Sequence, residues 1–257
     1  LVPYLKSKLD EYDWNLNVLD RNAATAIQRL GETNSRCTAG GLDITDSAAL
    51  DSALSEAHLV ISMVPAHMHL NVAKACIKHK AHLVTASYLT PEMRALDNEA
   101  RANGLVFLNE CGLDPGIDHM SAARLLDGIR GDGGEIILFE SFTGGLLSPD
   151  SEGDNPWRYK FTWNPRNVVL AGQGGAVKFM QEGKYKYIPP HMVFRRTEFM
   201  NVEGYGRFEG LANRDSLKYR KAYNLEHAAT LYRGTLRRPG FARAWDSFVK
   251  LGMTDDS

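Results

Sequence analysis

The first half of the chain alternates short apolar runs with amphipathic stretches of helical period. Residues 58–65, His-Leu-Val-Ile-Ser-Met-Val-Pro, are almost continuously apolar, which is typical of a strand buried on both faces of a parallel sheet. The same pattern predicts strands over 15–20, 41–45, 82–86 and 105–109, and helices over 1–9, 23–30, 69–80 and from residue 91 onwards. Strands that alternate with helices predict an α/β fold with a doubly wound parallel sheet.

The second half of the chain follows a different pattern, in which regular helices no longer separate the strands. It predicts strands over 135–142, 185–188 and 197–202, loops over 144–156 and 204–216, and helices after residue 165 and over 239–251. Phe241, Trp245 and Phe248 recur on one face of the last helix, and Gly252 follows at the expected C-cap. We therefore expect an α+β second domain, with domains over 1–114 and 115–257.

Composition and charge add to this picture only by excluding some classes of protein function. In 257 residues, Lys and Arg total 30 and Asp and Glu total 31, so the formal net charge is −1. That balance gives no bulk attraction to nucleic acid or to an anionic membrane, and no apolar run reaches the roughly 18–20 residues that span a bilayer. The three cysteines are odd in number and far apart, which favours a reducing, cytoplasmic setting without disulfides.

Candidate chemistry lies where the predicted parallel strands end, because ligands bind at that edge of an open sheet. Asp20 and Arg21 follow the first strand. An acidic residue there typically binds a ribose hydroxyl of NAD, whereas an adjacent arginine suits the 2′-phosphate of NADP; an N-cap aspartate beside a solvated arginine is the alternative. The small and hydroxyl residues at 62–65 and 85–88 either line the same ligand or only cap the helices that follow.

The segment 109–119, Asn-Glu-Cys-Gly-Leu-Asp-Pro-Gly-Ile-Asp-His, combines a strand end with a Pro-Gly turn. Asp114 precedes the proline, which disfavours helical geometry and lets its carboxylate point from a fixed loop. Asp118 is expected to cap the next helix. Cys111 is expected to be an inert thiol, because no basic neighbour would lower its pKa.

Two further groups of side chains are considered as ligand sites: arginines for an anion and histidines for a metal ion. Arg214, in an Asn-Arg-Asp-Ser segment, and the arginines of 233–238 are interpreted as loop residues that suit bidentate capture of carboxylates; surface ion pairs are the alternative. His67 and His69 lie two residues apart on a predicted helix. They therefore point to different sides, and we expect no metal site there.

Several motifs, in this order, resemble those of one family. They are Val-Thr-Ala-Ser-Tyr at 84–88, the segment 109–119, Asn-Pro-Trp-Arg-Tyr-Lys-Phe-Thr-Trp at 155–163, Asn-Arg-Asp-Ser at 213–216 and Arg-Gly-Thr-Leu-Arg at 233–237. The chain resembles the L-glutamate-forming saccharopine dehydrogenases, or saccharopine reductases, over essentially its whole length. The resemblance implies a Rossmann-like first domain, NADP or NAD as cofactor and saccharopine as substrate. The predicted strands of the second domain could pair across a homodimer, which is the candidate assembly, although the sequence leaves the oligomeric state open.

The resemblance also implies roles for particular residues. The dinucleotide is expected to contact Asp20, Arg21, Ser62, Met63, Val64, Pro65, Thr85 and Leu113. The substrate is expected to contact Ala86, Ser87, Asp114, Arg214, Thr235, Leu236 and Arg237. Asp114 is the expected catalytic residue, because a carboxylate can take the proton of the substrate amine; orientation of the amine without proton transfer is the alternative.

The chain departs from the family pattern at both ends. It contains no Gly-x-Gly-x-x-Gly turn, and residues 1–9 match the helix that should follow such a turn. We therefore expect a fragment that lacks the first strand, the Gly-rich turn and the C-terminal region. Two other functions stay open: reduction of another amino-acid or polyamine Schiff base, such as that of carboxynorspermidine, and a non-catalytic fragment that binds a ligand or dimerises.

Overall fold

The chain folds into two units, Leu1–Ile117 and Asp118–Ser257. The structure, a computed structural model, describes residues 1–162, 165–170 and 175–255. Trp163, the last residue of the motif at 155–163, therefore lies outside the described residues. Within the described ranges, no helix is both long enough and apolar enough to cross a bilayer.

The first unit is an α/β structure with two parallel sheets. The strands are β1 (Leu16–Asp20), β2 (Cys37–Gly41), β3 (Leu59–Ser62), β4 (His82–Thr85) and β5 (Phe107–Leu108). The helices are α1 (Val2–Lys6), α2 (Leu9–Tyr12), α3 (Ala23–Leu30), α4 (Ser47–Leu54), α5 (His69–His79), α6 (Pro91–Arg94) and α7 (Asp97–Ala102). β1 pairs with β2, and β3, β4 and β5 pair in that order. All pairs are parallel, so the predicted fold class is confirmed.

Apolar residues at helical and strand spacing form the cores of this unit. Leu50 and Leu54, four residues apart on α4, pack with Cys76 of α5 and Leu83 of β4 in the larger core. A second core joins α2, α3 and β2 through Leu9, Leu30 and Cys37, and a third includes Ile77, Ala100 and Leu105. Because these cores lie between helices and strands, polar side chains can gather at the carboxyl ends of the strands.

Two predictions for the first unit are wrong in detail, and one helix was missed. The strand predicted at 41–45 lies instead at Cys37–Gly41. Its position was missed because Gly40 and Gly41 have low strand propensity, although both take part in the parallel ladder with β1. The helix predicted at 1–9 is two short helices, Val2–Lys6 and Leu9–Tyr12. Helix α4 was not predicted, although Asp46 caps it by accepting hydrogen bonds from the N–H groups of Ala48 and Ala49.

The second unit contains a mixed six-stranded sheet and is α+β, as predicted. The strands are β6 (Leu138–Thr143), β7 (Val177–Gln181), β8 (Lys184–Ile188), β9 (Thr197–Val202), β10 (Gly206–Ala212) and β11 (Thr230–Arg237). The helices are α8 (Ile117–Gly131), α9 (Pro149–Glu152), α10 (Pro165–Val169) and α11 (Phe241–Lys250). β11 is central: it runs parallel to β6 and antiparallel to β10 and, at one residue pair, to β7. β9 pairs with β10, and β8 with β7.

Two segments predicted as loops, 204–216 and 233–238, lie largely in the strands β10 and β11. Their glycines, which suggested turns, serve packing instead. A Cβ at Gly234 would collide with the ring of Phe142, so the missing side chain admits that ring against the sheet. The last helix follows its prediction: α11 buries Phe241 and Trp245, and Gly252 follows it with a φ of 72°.

Candidate functional site

Candidate residues of the first unit gather at the end of β4 and in the loop that follows β5. The N–H of Cys111 donates to the carbonyl of Thr85, and the N–H of Glu110 donates to that of Ser87, each at 3.1 Å. The hydroxyl of Tyr88 donates to Oδ1 of Asp114 at 2.7 Å. These bonds bring the carboxylate of Asp114 to the end of β4.

Two glycines close the loop that carries Leu113 and Asp114. The N–H of Gly112 donates to the carbonyl of Pro115 at 2.8 Å. Gly116 has a φ of 151°, and a Cβ there would collide with the backbone of Gly112, so only glycine allows the loop to close. The closed loop leaves the side chain of Leu113 exposed and that of Asp114 half-buried.

A buried histidine, His69, connects the ends of β3 and β4. Its Nδ1 lies 2.8 Å from Oγ of Ser62, and its Nε2 lies 2.8 Å from Oγ of Ser87 and 3.2 Å from Oγ1 of Thr85. Burial lowers the pKa of His69, so the ring is neutral at pH 7. Our sequence reasoning considered His69 only as a metal ligand. The available signal was a hydroxyl residue at the end of each strand near the start of α5.

The residues predicted to hold a dinucleotide lie at the ends of β1 and β3 and in the loop after β5. Asp20 and Arg21 are exposed after β1, where Asp20 Oδ1 accepts the N–H of Asn22 at 2.8 Å. Asn22, whose side chain accepts the N–H of Ala24, is the N-cap of α3, so Asp20 is not the helix cap that we considered.

The exposed apolar side chains at these strand ends give the candidate cofactor site a surface for flat rings. Met63 is 67% and Leu113 is 70% exposed, while Val64 is half-buried and Pro65 is exposed. Of the two exposed groups after β1, the carboxylate suits a ribose hydroxyl and the guanidinium suits a 2′-phosphate. The hydroxyls of Ser62 and Thr85 are buried and both bond to His69. Their side chains therefore support this edge of the sheet.

The cysteines offer no activated thiol among the described residues. Cys37 and Cys76 are fully buried, and burial raises the pKa of the Cys76 thiol to about 12. Cys111 is exposed, but partial burial raises the pKa of its thiol above the ordinary value as well. A thiol with a raised pKa is a weak nucleophile at neutral pH.

Alkylation of the native protein is expected to modify one thiol, Cys111, and to do so more slowly than it modifies free cysteine. Cys37 and Cys76 should react only after unfolding, because their sulfur atoms are inaccessible. Mass spectrometry after iodoacetamide treatment at pH 7.5 measures both rates. The variant Cys111→Ser is the control and should show no native-state reaction; a second rapidly modified thiol would contradict the burial of Cys37 and Cys76.

In the second unit, Arg237 is a buried cation without an acidic partner among the described residues. Its side chain is 9% exposed, Nη1 donates to the carbonyl of Leu236 at 2.8 Å, and Nε has no hydrogen-bond partner there. The guanidinium carbon lies 5.1 Å from the ring centre of Tyr159 and 5.2 Å from that of Phe241. Burial lowers the pKa of Arg237. A buried guanidinium that has no acidic partner among the described residues is suited to bind the carboxylate of a ligand.

The other two arginines of the run 233–238 have carboxylate partners. Nη2 of Arg233 lies 2.5 Å from Oδ2 of Asp118, and both side chains are more than nine-tenths buried. Nε of Arg238 lies 2.8 Å from Oε1 of Glu152, which also binds Arg158. The prediction that Asp118 caps α8 is wrong: the helix begins at residue 117, and the carboxylate is turned to Arg233.

The loop that carries Arg214 is attached to β11. The N–H of Asn213 donates to the carbonyl of Arg233 at 2.9 Å, and Oγ of Ser216 accepts the N–H of Arg233 at 3.0 Å. Arg214 is exposed, with a φ of 51°. On β11, Thr235 and Leu236 are half-buried beside Arg237. The structure thus brings the four predicted carboxylate-binding residues to one strand and the loop bonded to it.

Comparison with known proteins gives matches over both units. Residues 1–108 match the family model described as saccharopine dehydrogenase NADP binding domain, and residues 112–257 match the saccharopine dehydrogenase C-terminal domain. The chain is 39% identical over 216 residues to the saccharopine dehydrogenase [NADP(+), L-glutamate-forming] of Pyricularia oryzae, which covers 84% of this chain and 47% of that protein.

Similarity extends to a second relative and to a solved structure. The enzyme of the same name from Saccharomyces cerevisiae is 37% identical over 245 residues, which cover 95% of this chain and 54% of that protein. The structure of apo saccharopine dehydrogenase (L-Glu forming) from Saccharomyces cerevisiae matches with a TM-score of 0.87 and 34% identity, over 99% of this chain and 56% of that one. The chain therefore spans about half the length of these relatives.

Proposed function

The chain belongs to the saccharopine dehydrogenase family, and on that premise we propose that it supplies the cofactor- and substrate-binding parts of an oxidoreductase of lysine metabolism. The reaction is the interconversion of saccharopine with glutamate and 2-aminoadipate 6-semialdehyde, with NADP as cofactor. The observation that carries the proposal is Arg237, a buried guanidinium without an acidic partner among the described residues. Such a group is suited to a substrate that brings its own carboxylates.

The substrate carboxylates bind at β11 and the loop attached to it. Saccharopine has three carboxylates, and Arg237 and Arg214 are the guanidinium groups proposed to receive them. Arg237 gains most from this pairing, because its charge is already removed from water. Thr235, half-buried on the same face of β11, adds its side chain to the proposed surface, and Leu236 adds its backbone carbonyl, which accepts a hydrogen bond from Nη1 of Arg237.

Asp114 acts on the amine of the substrate. Oxidation removes a hydride from the carbon beside the secondary nitrogen, and water then opens the resulting C=N bond to release glutamate and the semialdehyde. The nitrogen must first lose a proton, because an ammonium nitrogen has no lone pair with which to form that double bond. The carboxylate of Asp114, held by the hydroxyl of Tyr88, takes this proton or fixes the nitrogen in place. Ala86 lies next to Gly112 of the same loop, and the carbonyl of Ser87 accepts the N–H of Glu110.

The proposed cofactor site lies at the ends of β1 and β3 and in the loop after β5. It consists of Asp20, Arg21, Ser62, Met63, Val64, Pro65, Thr85 and Leu113. NADP bound there supplies the hydride acceptor, or the donor in the reverse direction. Arg21, exposed at the end of β1, favours NADP over NAD because the 2′-phosphate is anionic.

The relatives also favour saccharopine over the other substrates that the sequence left open, since those reported above are named for it. A homodimer and a cytoplasmic location complete the proposal. Support for a dimer comes from β8 at the end of the sheet, where Tyr185 and Tyr187 are 67% and 66% exposed. Support for a reducing compartment comes from the cysteines, which are free.

Asp114→Asn is expected to lower kcat with saccharopine by about 10²-fold or more, with NADP affinity little changed. An amide cannot accept the amine proton, so the pH dependence of kcat/KM should also change. Steady-state kinetics across pH measure both effects. Asp97→Asn, at an exposed residue of α7, is the matched control. Full turnover with an unchanged pH profile would exclude both roles of Asp114.

A further inference from the structure

One buried carboxylate, that of Glu152, holds a segment of the second unit against β11. It accepts hydrogen bonds from Nε of Arg158 at 2.6 Å and from Nε of Arg238 at 2.8 Å. Arg158 precedes Tyr159 in the sequence, and Arg238 follows Arg237 at the end of β11. The shared carboxylate therefore keeps Tyr159 beside Arg237, whose guanidinium carbon lies 5.1 Å from the centre of the tyrosine ring.

Tyr159, in the motif at 155–163, and Arg237 each carry a buried polar atom that has no hydrogen-bond partner among the described residues. These atoms are the hydroxyl oxygen of Tyr159, a residue 8% exposed, and Nε of Arg237. Glu209, which is opposite Arg237 in the ladder with β10, accepts the N–H of Ala242 instead at 3.1 Å. Buried polar groups without partners are costly and rare, so two that adjoin each other indicate a ligand that pairs with both.

We propose that Tyr159 is a further substrate-binding residue, whose hydroxyl donates a hydrogen bond to the same carboxylate that the guanidinium of Arg237 binds. Nη1 of Arg237 already donates to the carbonyl of Leu236, so the Nε–Nη2 edge of the guanidinium remains for a ligand. A carboxylate only accepts hydrogen bonds, which matches these donors, whereas a carboxamide would bring N–H groups against them. That the carboxylate belongs to saccharopine rests on the proposed function, but the pair of donors does not.

The loop that follows β6 lies over the end of β11. A Cβ at Gly144 would come within 2.7 Å of the carbonyl oxygen of Leu236, and Leu146 is half-buried against the core that contains Tyr159 and Phe241. The two donor atoms are covered in the ligand-free protein, so a carboxylate reaches them only when a side chain packed on this core moves aside. Leu146, on a loop and not on a strand or helix, is the side chain that we expect to move.

Tyr159→Phe distinguishes a ligand-binding hydroxyl from a structural one. In the ligand-free protein we expect the urea midpoint of unfolding to stay the same or to rise, because the variant removes a buried hydroxyl that has no partner among the described residues. Tyr223→Phe is the matched control. Tyr223 is also 8% exposed, but its hydroxyl is hydrogen-bonded to Nδ1 of His119, so this variant should lower the midpoint. A fall in Tyr159→Phe as large as that in Tyr223→Phe would overturn the proposal.

Calorimetry with saccharopine measures the contribution of the Tyr159 hydroxyl to binding. Tyr159→Phe should weaken saccharopine binding about tenfold or more, the usual effect of losing a hydrogen bond to a charged group, whereas Tyr223→Phe should weaken it less than about twofold. If Tyr159 and Arg237 bind one carboxylate, Tyr159→Phe should cost less affinity in the Arg237→Met background than in the wild type. Equal costs in both backgrounds would assign the two residues to different ligand groups and overturn the proposal.

Glutarate separates failure of this proposal from failure of the proposed function, because it has two carboxylates but lacks the rest of saccharopine. We expect Tyr159→Phe to weaken glutarate binding by about the same factor. If the wild type binds glutarate but not saccharopine, the proposed function is wrong, and the affinity of Tyr159→Phe for glutarate decides the role of Tyr159. Unchanged affinity of Tyr159→Phe for both ligands would overturn the role of Tyr159 and leave the proposed function intact. Binding of neither ligand to the wild type would refute both.

Discussion

Arg237→Met is expected to weaken saccharopine binding by about 2–5 kcal/mol, or about 30-fold and more, without lowering the stability of the fold. The substitution is expected to weaken binding but not to lower stability, because the guanidinium is already buried before the substrate binds. In the free protein its charge has lost water and gained ring contacts with Tyr159 and Phe241, but no acidic partner among the described residues. Methionine fills similar space without that cost, whereas the substrate carboxylate loses its partner.

Arg238→Met is the matched control for this result. Arg238 is adjacent in sequence and is buried to the same degree, but its guanidinium is paired with Glu152. Loss of that pair should lower the urea midpoint of unfolding clearly below that of Arg237→Met. Chemical denaturation and calorimetry with saccharopine separate the two properties. A loss of stability in Arg237→Met comparable to that in Arg238→Met would show that Arg237 is structural.

Asp118→Asn is expected to destabilise the protein by about 3–5 kcal/mol, the usual cost of breaking a buried ion pair. Arg233, 8% exposed, would then retain its charge beside an amide in place of the carboxylate at 2.5 Å. Asp127→Asn on the same helix is the control. Asp127 is 76% exposed and pairs with Arg130 three residues on, so its loss should cost less than about 1 kcal/mol.

The double variant Asp118→Asn, Arg233→Met distinguishes a broken ion pair from a generally poor substitution. If the cost of Asp118→Asn comes from an uncompensated guanidinium, removal of that guanidinium should restore part of the stability. Urea unfolding of the two single variants and the double variant gives the coupling free energy. Strictly additive losses would mean that the pair itself contributes nothing to the fold.

Local patterns in the sequence were sufficient to predict many of the helices and strands of the first unit. Helix Ala23–Leu30 and strand His82–Thr85 lie where the spacing of apolar residues placed them. The strand ends then indicated where polar chemistry would gather, and Asp114 and Ser87 do lie at the end of β4 or bonded to residues there. These features depend on near neighbours in the chain, which is why pattern alone reaches them.

The roles of the arginines could not be predicted from sequence, because their partners are distant. Asp118 lies 115 residues from Arg233, and Glu152 lies 86 residues from Arg238. All three arginines of the run 233–238 therefore suggested the same anion-binding role. β10 was missed for a related reason: its pairing with β9 and β11 outweighs the weak strand propensity of its glycines. The hydrogen bonds of His69 were missed because its hydroxyl partners come together only when two strands lie side by side.

The alternation of side chains along β11 determines which genetic changes this strand can accept. Arg233, Thr235 and Arg237 lie two residues apart and share one face of the strand. The ion pair of Arg233 with Asp118 and the proposed ligand contact of Arg237 therefore depend on the same strand register. Substitution at 235 or 237 changes one contact. Insertion or deletion of one residue between 233 and 237 would turn Arg237 to the opposite face. Changes of substrate specificity at this strand are therefore expected to arise by substitution of residues and not by insertion or deletion.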